Sequence, residues 1–174
     1  MTKLLQIYSQ SIAQLGRLDA HLPTLARAIF AAVLLGYFWT SGLTKFNGPF
    51  TLSDGAYAQI FPKAFEAVGY DSGQLGLHHT LIALAGGWAE LVLPTLIVLG
   101  LMTRLAALGM VGFVIVQSLT DVFGHMVDAA TIGTWFDAPS DALILDQRAL
   151  WVMLLLTLVI KGAGPISVDR FLRQ

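Results

Sequence analysis

The sequence contains no cysteine. Disulfides, iron–sulfur clusters, thiolate zinc sites and cysteine-based redox chemistry are therefore excluded within this chain, so any redox role must draw on a bound cofactor, a substrate or a partner protein. Charge is also scarce. Lys, Arg, Asp and Glu make up 12% of the residues, against about 25% in soluble domains. Ten basic residues face eleven acidic ones for a net charge of −1, which leaves nucleic-acid binding without electrostatic support. No Gly-rich phosphate loop, nucleophile elbow or His-Glu-x-x-His motif occurs. The five methionines are scattered, and with only Met126 beside a possible metal ligand a copper path is unsupported. What is abundant is apolar: 56% hydrophobic residues and a mean hydropathy of +0.71. Four long apolar stretches account for this and place the chain in the membrane class.

The expected fold is all-α: a four-helix transmembrane bundle preceded by an amphipathic helix. Residues 1–22 carry Leu4, Leu5, Tyr8, Ile12 and Leu15 at near-helical spacing, the pattern of a helix lying in the membrane interface. They lack the continuous apolar core and small-residue cleavage site of a signal peptide. Residues 23–174 form the membrane domain, with spans at about 25–43, 78–101, 105–123 and 148–162. Each approaches the ~20 residues that cross a ~30 Å hydrocarbon layer, and helices are required because lipid offers the backbone no water. The loop after the first span is punctuated by Gly48, Pro49, Gly55, Pro62 and Gly73 and holds a short helix near Ala56–Val68, and a second loop covers 124–146. Four spans put both termini and the Arg104 turn on one side, with Lys3, Arg17, Arg27, Lys161, Arg170 and Arg173. Lys45, Lys63 and Arg148 fall on the other. Seven basic residues against three predict cytoplasmic termini, in a bacterial inner membrane.

Three motifs carry a family resemblance. "FWTSGLTKF" at the end of the first span resembles the aromatic–Ser-Gly-x-x-Lys signature of the DoxX family. "AELVLPTLIVLGLMTRLAALGM" resembles its second motif, an acid in the second span followed by Leu-Gly-Leu-x-x-Arg and small residues. "KGAGPISVDRFL" resembles its Gly-x-Gly-x-x-Ser-x-Asp-x-x-Leu ending. The resemblance covers about residues 25–172 and implies a four-helix membrane protein. It also implies a redox connection: some relatives are membrane subunits of thiosulfate:quinone oxidoreductases, and others are linked to oxidative-stress or metal-handling operons.

The stretch "GWAELVLPTLIVLG" puts an acid, Glu90, deep in the second span, with Pro94 one turn further on. Proline has no N–H, so the Glu90 carbonyl loses its helical partner and a kink is expected. Ala83, Ala85, Gly86, Gly87 and Ala89 surround the acid and permit close helix approach. His79, eleven residues earlier, returns to nearly the same face about 16 Å away. In the third span Gln117, Asp121 and His125 recur every four residues, and counting from Arg104 sets Gln117 level with Glu90. Tyr37, Ser41 and Lys45 do the same in the first span. The expected arrangement is a polar track in the outer half of the bundle, with Glu90, Gln117 and Tyr37 at its floor and His79, Asp121, His125 and Lys45 at its mouth. Trp88 sits too deep for an interfacial anchor and either packs in the bundle or lines a pocket for a flat ligand.

Each group has a structural reading beside the functional one. Glu90 either fixes helix register or exchanges protons with a ligand, because intramembrane acids are costly and often functional. Asp121 and His125 have the spacing of two metal ligands but equally read as a solvated pair. Lys45 either snorkels to the outer interface or pairs with Asp121 or an anionic ligand. Ser167 reads as the cap of a short helix. Two functions compete. In the first, the protein is a membrane component of a redox system, a quinone-linked oxidoreductase subunit that binds a quinone or similar small molecule in the outer-half pocket. Glu90 then exchanges protons, His79 or His125 orients the ligand, and electrons come from a bound cofactor or a partner subunit, with haem or a metal as secondary candidates. In the second, the protein is a non-catalytic scaffold or chaperone-like partner, alone or as a homo-oligomer. Transport of a solute or metal ion ranks below both, since four spans without an inverted repeat are few for a transporter.

Overall fold

The computed structural model describes residues 2–172, leaving aside the side chains of residues 2, 9–11, 13, 14 and 17. Arg173 and the Arg17 side chain, both counted for the predicted orientation, therefore lie outside the described set. Four helical runs are long and apolar enough to cross a membrane: Asp19–Thr44, Leu77–Leu99, Thr103–His125 and Leu143–Lys161. They form the expected all-α bundle and are referred to below as the first to fourth spans.

The first span begins before the predicted residue 25. A 3-10 turn at Asp19–His21 leads straight into helix at Leu22, and Pro23 occupies the first turn, where its missing N–H costs nothing. The preceding helix, Thr2–Leu18, leaves Leu4, Leu5, Tyr8, Ile12 and Leu15 exposed. The fourth span also starts early, in a π-helical turn at Leu143–Gln147 that takes in the end of the expected 124–146 loop. In the second span the helix continues through Pro94, which is fully buried. It stops at Gly100, in the left-handed region at φ 70°, where glycine carries no steric penalty. A Cβ at Gly100 would also lie 2.6 Å from the Arg27 guanidinium carbon.

The core that joins the spans is one cluster. Phe30, Leu34 and Phe38 of the first span meet Ile97 of the second, Ala106, Ala107, Met110 and Val114 of the third, and Leu155 and Leu158 of the fourth. Alanines at the contact let the backbones approach, which is how helices gain packing energy in lipid. A second, smaller core of Ala56, Tyr57, Phe65 and Ala83 lies at the other end of the first and second spans. It is built by two short helices, Asp54–Ile60 and Pro62–Ala67, where one helix near Ala56–Val68 was expected. The break falls at Phe61, held at φ −129°, ψ 54°, because a residue preceding proline is pushed out of the helical region. A two-stranded antiparallel hairpin, Phe46–Gly48 with Thr51–Leu52, links the first span to these helices.

Candidate functional site: a polar cavity in the bundle

Where the first and second spans leave the main core they come very close. A Cβ on Gly42 would stand 3.1 Å from the Glu90 Cβ, and one on Gly87 would stand 2.7 Å from the Phe46 ring. This approach brings Lys45, at the end of the first span, onto Glu90. The Lys45 ammonium lies 2.7 Å from Glu90 Oε2 and also donates to Gln59 Oε1 at 2.8 Å, Ser41 Oγ at 3.0 Å and the Ser41 carbonyl at 3.3 Å. Lys45 is only 3% exposed. The expectation that it snorkels or pairs with Asp121 is therefore overturned: the hairpin and the Asp54–Ile60 helix fold over it, and Glu90 takes its charge.

Asp121 is paired with Arg148 instead, at 2.6 Å. Arg148 also donates to Ser118 Oγ at 3.1 Å and is buried at 3% exposure. Two π-helical turns, Thr120–His125 and Leu143–Gln147, bring these groups together. Such turns insert an extra residue per turn and re-aim the side chains around them, and they recur at functional sites. A third π-helical turn, Ala31–Leu35, precedes Tyr37 in the first span.

Both ion pairs line one cavity of about 590 Å³. Its polar lining is Tyr37, Ser41, Lys45, Gln59, Glu90, Gln117, Thr120, Asp121, His125 and Arg148, and its apolar lining includes Ile60, Ile82, Leu93, Phe113, Val116 and Leu143. Gln117 donates to the Tyr37 hydroxyl at 2.8 Å. A His125 ring nitrogen lies 3.0 Å from the Gln59 carbonyl. Two buried atoms of this lining, Gln117 Oε1 and Arg148 Nε, have no hydrogen-bond partner among the described residues. Buried polar atoms of native proteins are rarely left so.

Seven of the nine sequence-predicted site residues thus meet in this cavity: Glu90, Tyr37, Ser41, Lys45, Gln117, Asp121 and His125. The other two do not. His79 is covered by the Phe61 ring, which stands edge-on to it at 4.8 Å. Trp88 packs against Phe46 and Phe50, at 5.6 and 6.1 Å, away from the cavity. Asp121 is committed to Arg148 and His125 to a carbonyl, and no three His, Asp or Glu residues gather in a metal-holding group among the described residues. Gln59 and Arg148 were missed. Gln59 lies on a loop helix without any motif, and Arg148 is separated from Asp121 by 27 residues and a loop, so no periodicity connects them.

A second polar cluster lies at the opposite end of the bundle. Arg27 donates to the Ile97, Val98, Ala163 and Ile166 carbonyls, the first three at 2.8, 2.5 and 3.0 Å. Asp169 accepts from the backbone N–H of Met102 at 2.7 Å, and from the Thr103 N–H and hydroxyl at 3.0 and 2.9 Å. The C-terminal segment is thereby locked onto the turn between the second and third spans.

Four apolar spans enclosing a polar cavity define an integral membrane protein of the four-helix type. A family model described as DoxX matches residues 22–125, more than half of the chain, and the protein belongs to the DoxX family. That match covers the first three spans and ends before the fourth span and the "KGAGPISVDRFL" segment. Neither curated proteins nor solved structures yielded a match.

Proposed function

We propose that this protein is the membrane component of a redox system of the bacterial inner membrane, and that it binds a quinone or similar small molecule in the cavity. The observation that carries this reading is the combination of the buried Lys45–Glu90 ion pair and the part-buried Arg148–Asp121 pair with apolar walls in one space of about 590 Å³. Ligand sites have this make-up, an apolar lining with a few fixed polar groups. The two unpartnered atoms suit such a head group chemically. Arg148 Nε can only donate, as a quinone carbonyl requires, and Gln117 Oε1 can only accept, as the hydroxyl of a reduced quinone requires.

Reduction of a quinone takes up two electrons and two protons. With no thiol in the chain, the electrons come from a partner subunit or the cofactor it carries. Glu90, held by Lys45, exchanges protons with the ligand, and His125, exposed at the rim, relays them outward. The excess of basic residues on the side of the termini supports cytoplasmic termini; in that orientation the cavity lies in the outer half and the Thr2–Leu18 helix in the inner interface.

The test is to purify the protein in mild detergent and examine it for quinone, haem and metal by absorbance and mass spectrometry, then to titrate it with a quinone. Saturable binding supports the proposal. A preparation that carries no quinone and binds none when it is added sinks it. The near-isosteric Glu90→Gln is expected to abolish binding. A variant that binds normally and changes only its melting temperature reduces Glu90 to a structural role.

A further inference from the structure

The cavity is not closed on all sides. Gly86, Ala89 and Leu93 line it from the second span, and Gly109, Gly112 and Val116 from the third. Along this seam the surface is open: Gly109 and Gly112 are exposed, and Val116 is 61% exposed at its rim. A Cβ on Gly109 would touch the Leu93 methyls at 3.2 Å, which closes the seam at its inner end, whereas a Cβ on Gly112 would meet nothing within 4 Å. Outward-facing surface at this depth of a span meets hydrocarbon and not water, so the opening is a side door onto the bilayer. Small residues alone would equally suit a second copy of the chain. The seam, however, runs without interruption into the space lined by Arg148, a side chain buried at 3% exposure whose Nε lacks a hydrogen-bond partner among the described residues. A helix–helix contact needs no such donor behind it.

We infer that the cavity is loaded sideways from the bilayer between the second and third spans, and that its ligand carries a long apolar tail that lies along Gly109 and Gly112 while the polar head reaches Arg148. This rests on the quinone-binding reading and narrows it to tailed, membrane-dissolved quinones. Tail contacts in the groove then contribute to affinity and orient the head for the ion pairs.

The experiment plugs the groove. Gly112→Leu adds a side chain into open space and improves helix propensity, so thermal unfolding of the variant should match or exceed that of the parent. Parent and variant, in lipid nanodiscs, are titrated with a benzoquinone bearing a decyl chain and with the same ring bearing a methyl group. Comparing variant with parent for each probe cancels the partitioning of the probe into lipid. The expected result is about tenfold weaker binding of the decyl probe, with the methyl probe changed less than about twofold. Gly112→Ala should show the same selectivity at about two- to threefold, which keeps the test decisive if the leucine variant does not fold. Equal effects on both probes, or no effect on the decyl probe, overturn the lateral groove while leaving quinone binding in place. Dissociation of a parent dimer by Gly112→Leu without tail-selective loss assigns the groove to a second copy and likewise overturns it. Failure of the parent to bind either probe sinks the quinone reading itself, and the groove with it.

Discussion

At each end of the bundle a buried cation reaches across several elements, but the two ends satisfy it with different kinds of partner. At the end that gathers the C-terminal segment, Arg27 is 8% exposed and donates to four backbone carbonyls. Asp169 in turn accepts from the first backbone N–H groups of the third span. Helix ends always leave such groups unsatisfied, so a charge that meets them does a task that any bundle has. At the other end Lys45 and Arg148 are held mainly by side chains, namely Glu90, Gln59, Ser41, Asp121 and Ser118. Buried ion pairs between side chains gain little stability over apolar packing of the same shape, yet here two of them line an open cavity. Intramembrane charge is therefore a poor marker of a site by itself. Partners that are backbone groups at helix ends mark a fastener, whereas side-chain partners facing a cavity make a candidate site.

The largest expected effect breaks the cavity end. Lys45→Met leaves the Glu90 carboxylate buried and uncompensated and should destabilise the protein by about 3–5 kcal/mol, read as thermal unfolding in detergent. Adding Glu90→Leu should recover most of that loss, because the orphaned charge is removed, while quinone binding stays absent. A double variant that remains as unstable as the single one would show that the pair fastens the fold as Arg27 does. The next effect is at the fastened end. Arg27→Met should cost about 2–3 kcal/mol, less than the Lys45 variant because it leaves neutral carbonyls unpaired and not a buried charge. Proteolysis of the 162–172 segment should rise while cavity binding holds, and loss of quinone affinity in this variant would erase the contrast between the ends.

The smallest effect concerns two loops between spans. The Asp71 carboxyl is held below the usual range by the Gln74 side chain and by the Gly73 N–H, and that of Asp128 by the Thr131 N–H and hydroxyl. A carboxyl depressed in the folded state contributes stability that is full above its ordinary value and is lost as pH falls past that value and through the lower, folded one. Amide protection at Gly73 and Thr131 should therefore decline as pH falls below the ordinary carboxyl range. Asp128→Ala should remove the pH dependence at Thr131 and leave Gly73 unchanged.

The four spans were legible because length and apolarity carry them, although their starts were not. The 3-10 turn at Asp19–His21 and the π-helical turn at Leu143–Gln147 extend the first and fourth spans, the first through Asp19 and His21 and the fourth through Asp146 and Gln147, whose polarity reads as loop. Glu90 stood out because an acid in a span is expensive, and the four-residue spacing of Gln117, Asp121 and His125 placed three groups on one wall. His79 shows where periodicity stops. It gives the face a residue occupies along its own helix but says nothing of Phe61, which arrives from the break between two short helices and covers it. Lys45 shows the same limit from the other side, since its burial depends on a hairpin too short to leave a pattern.

Composition alone determined that this chain spans a membrane in helices, because lipid forces every backbone polar group to find its partner within the helix. Residue spacing determined which polar side chains share a helix face. Only the tertiary structure decided which charges meet. Lys45 and Glu90 are 45 residues apart and Arg148 and Asp121 are 27 apart, so each pairing depends on how separate elements pack and not on any repeat along one of them. The same packing left Gln117 Oε1 and Arg148 Nε without a partner among the described residues and left Gly109 and Gly112 exposed, because side chains that close a core elsewhere are absent along that seam.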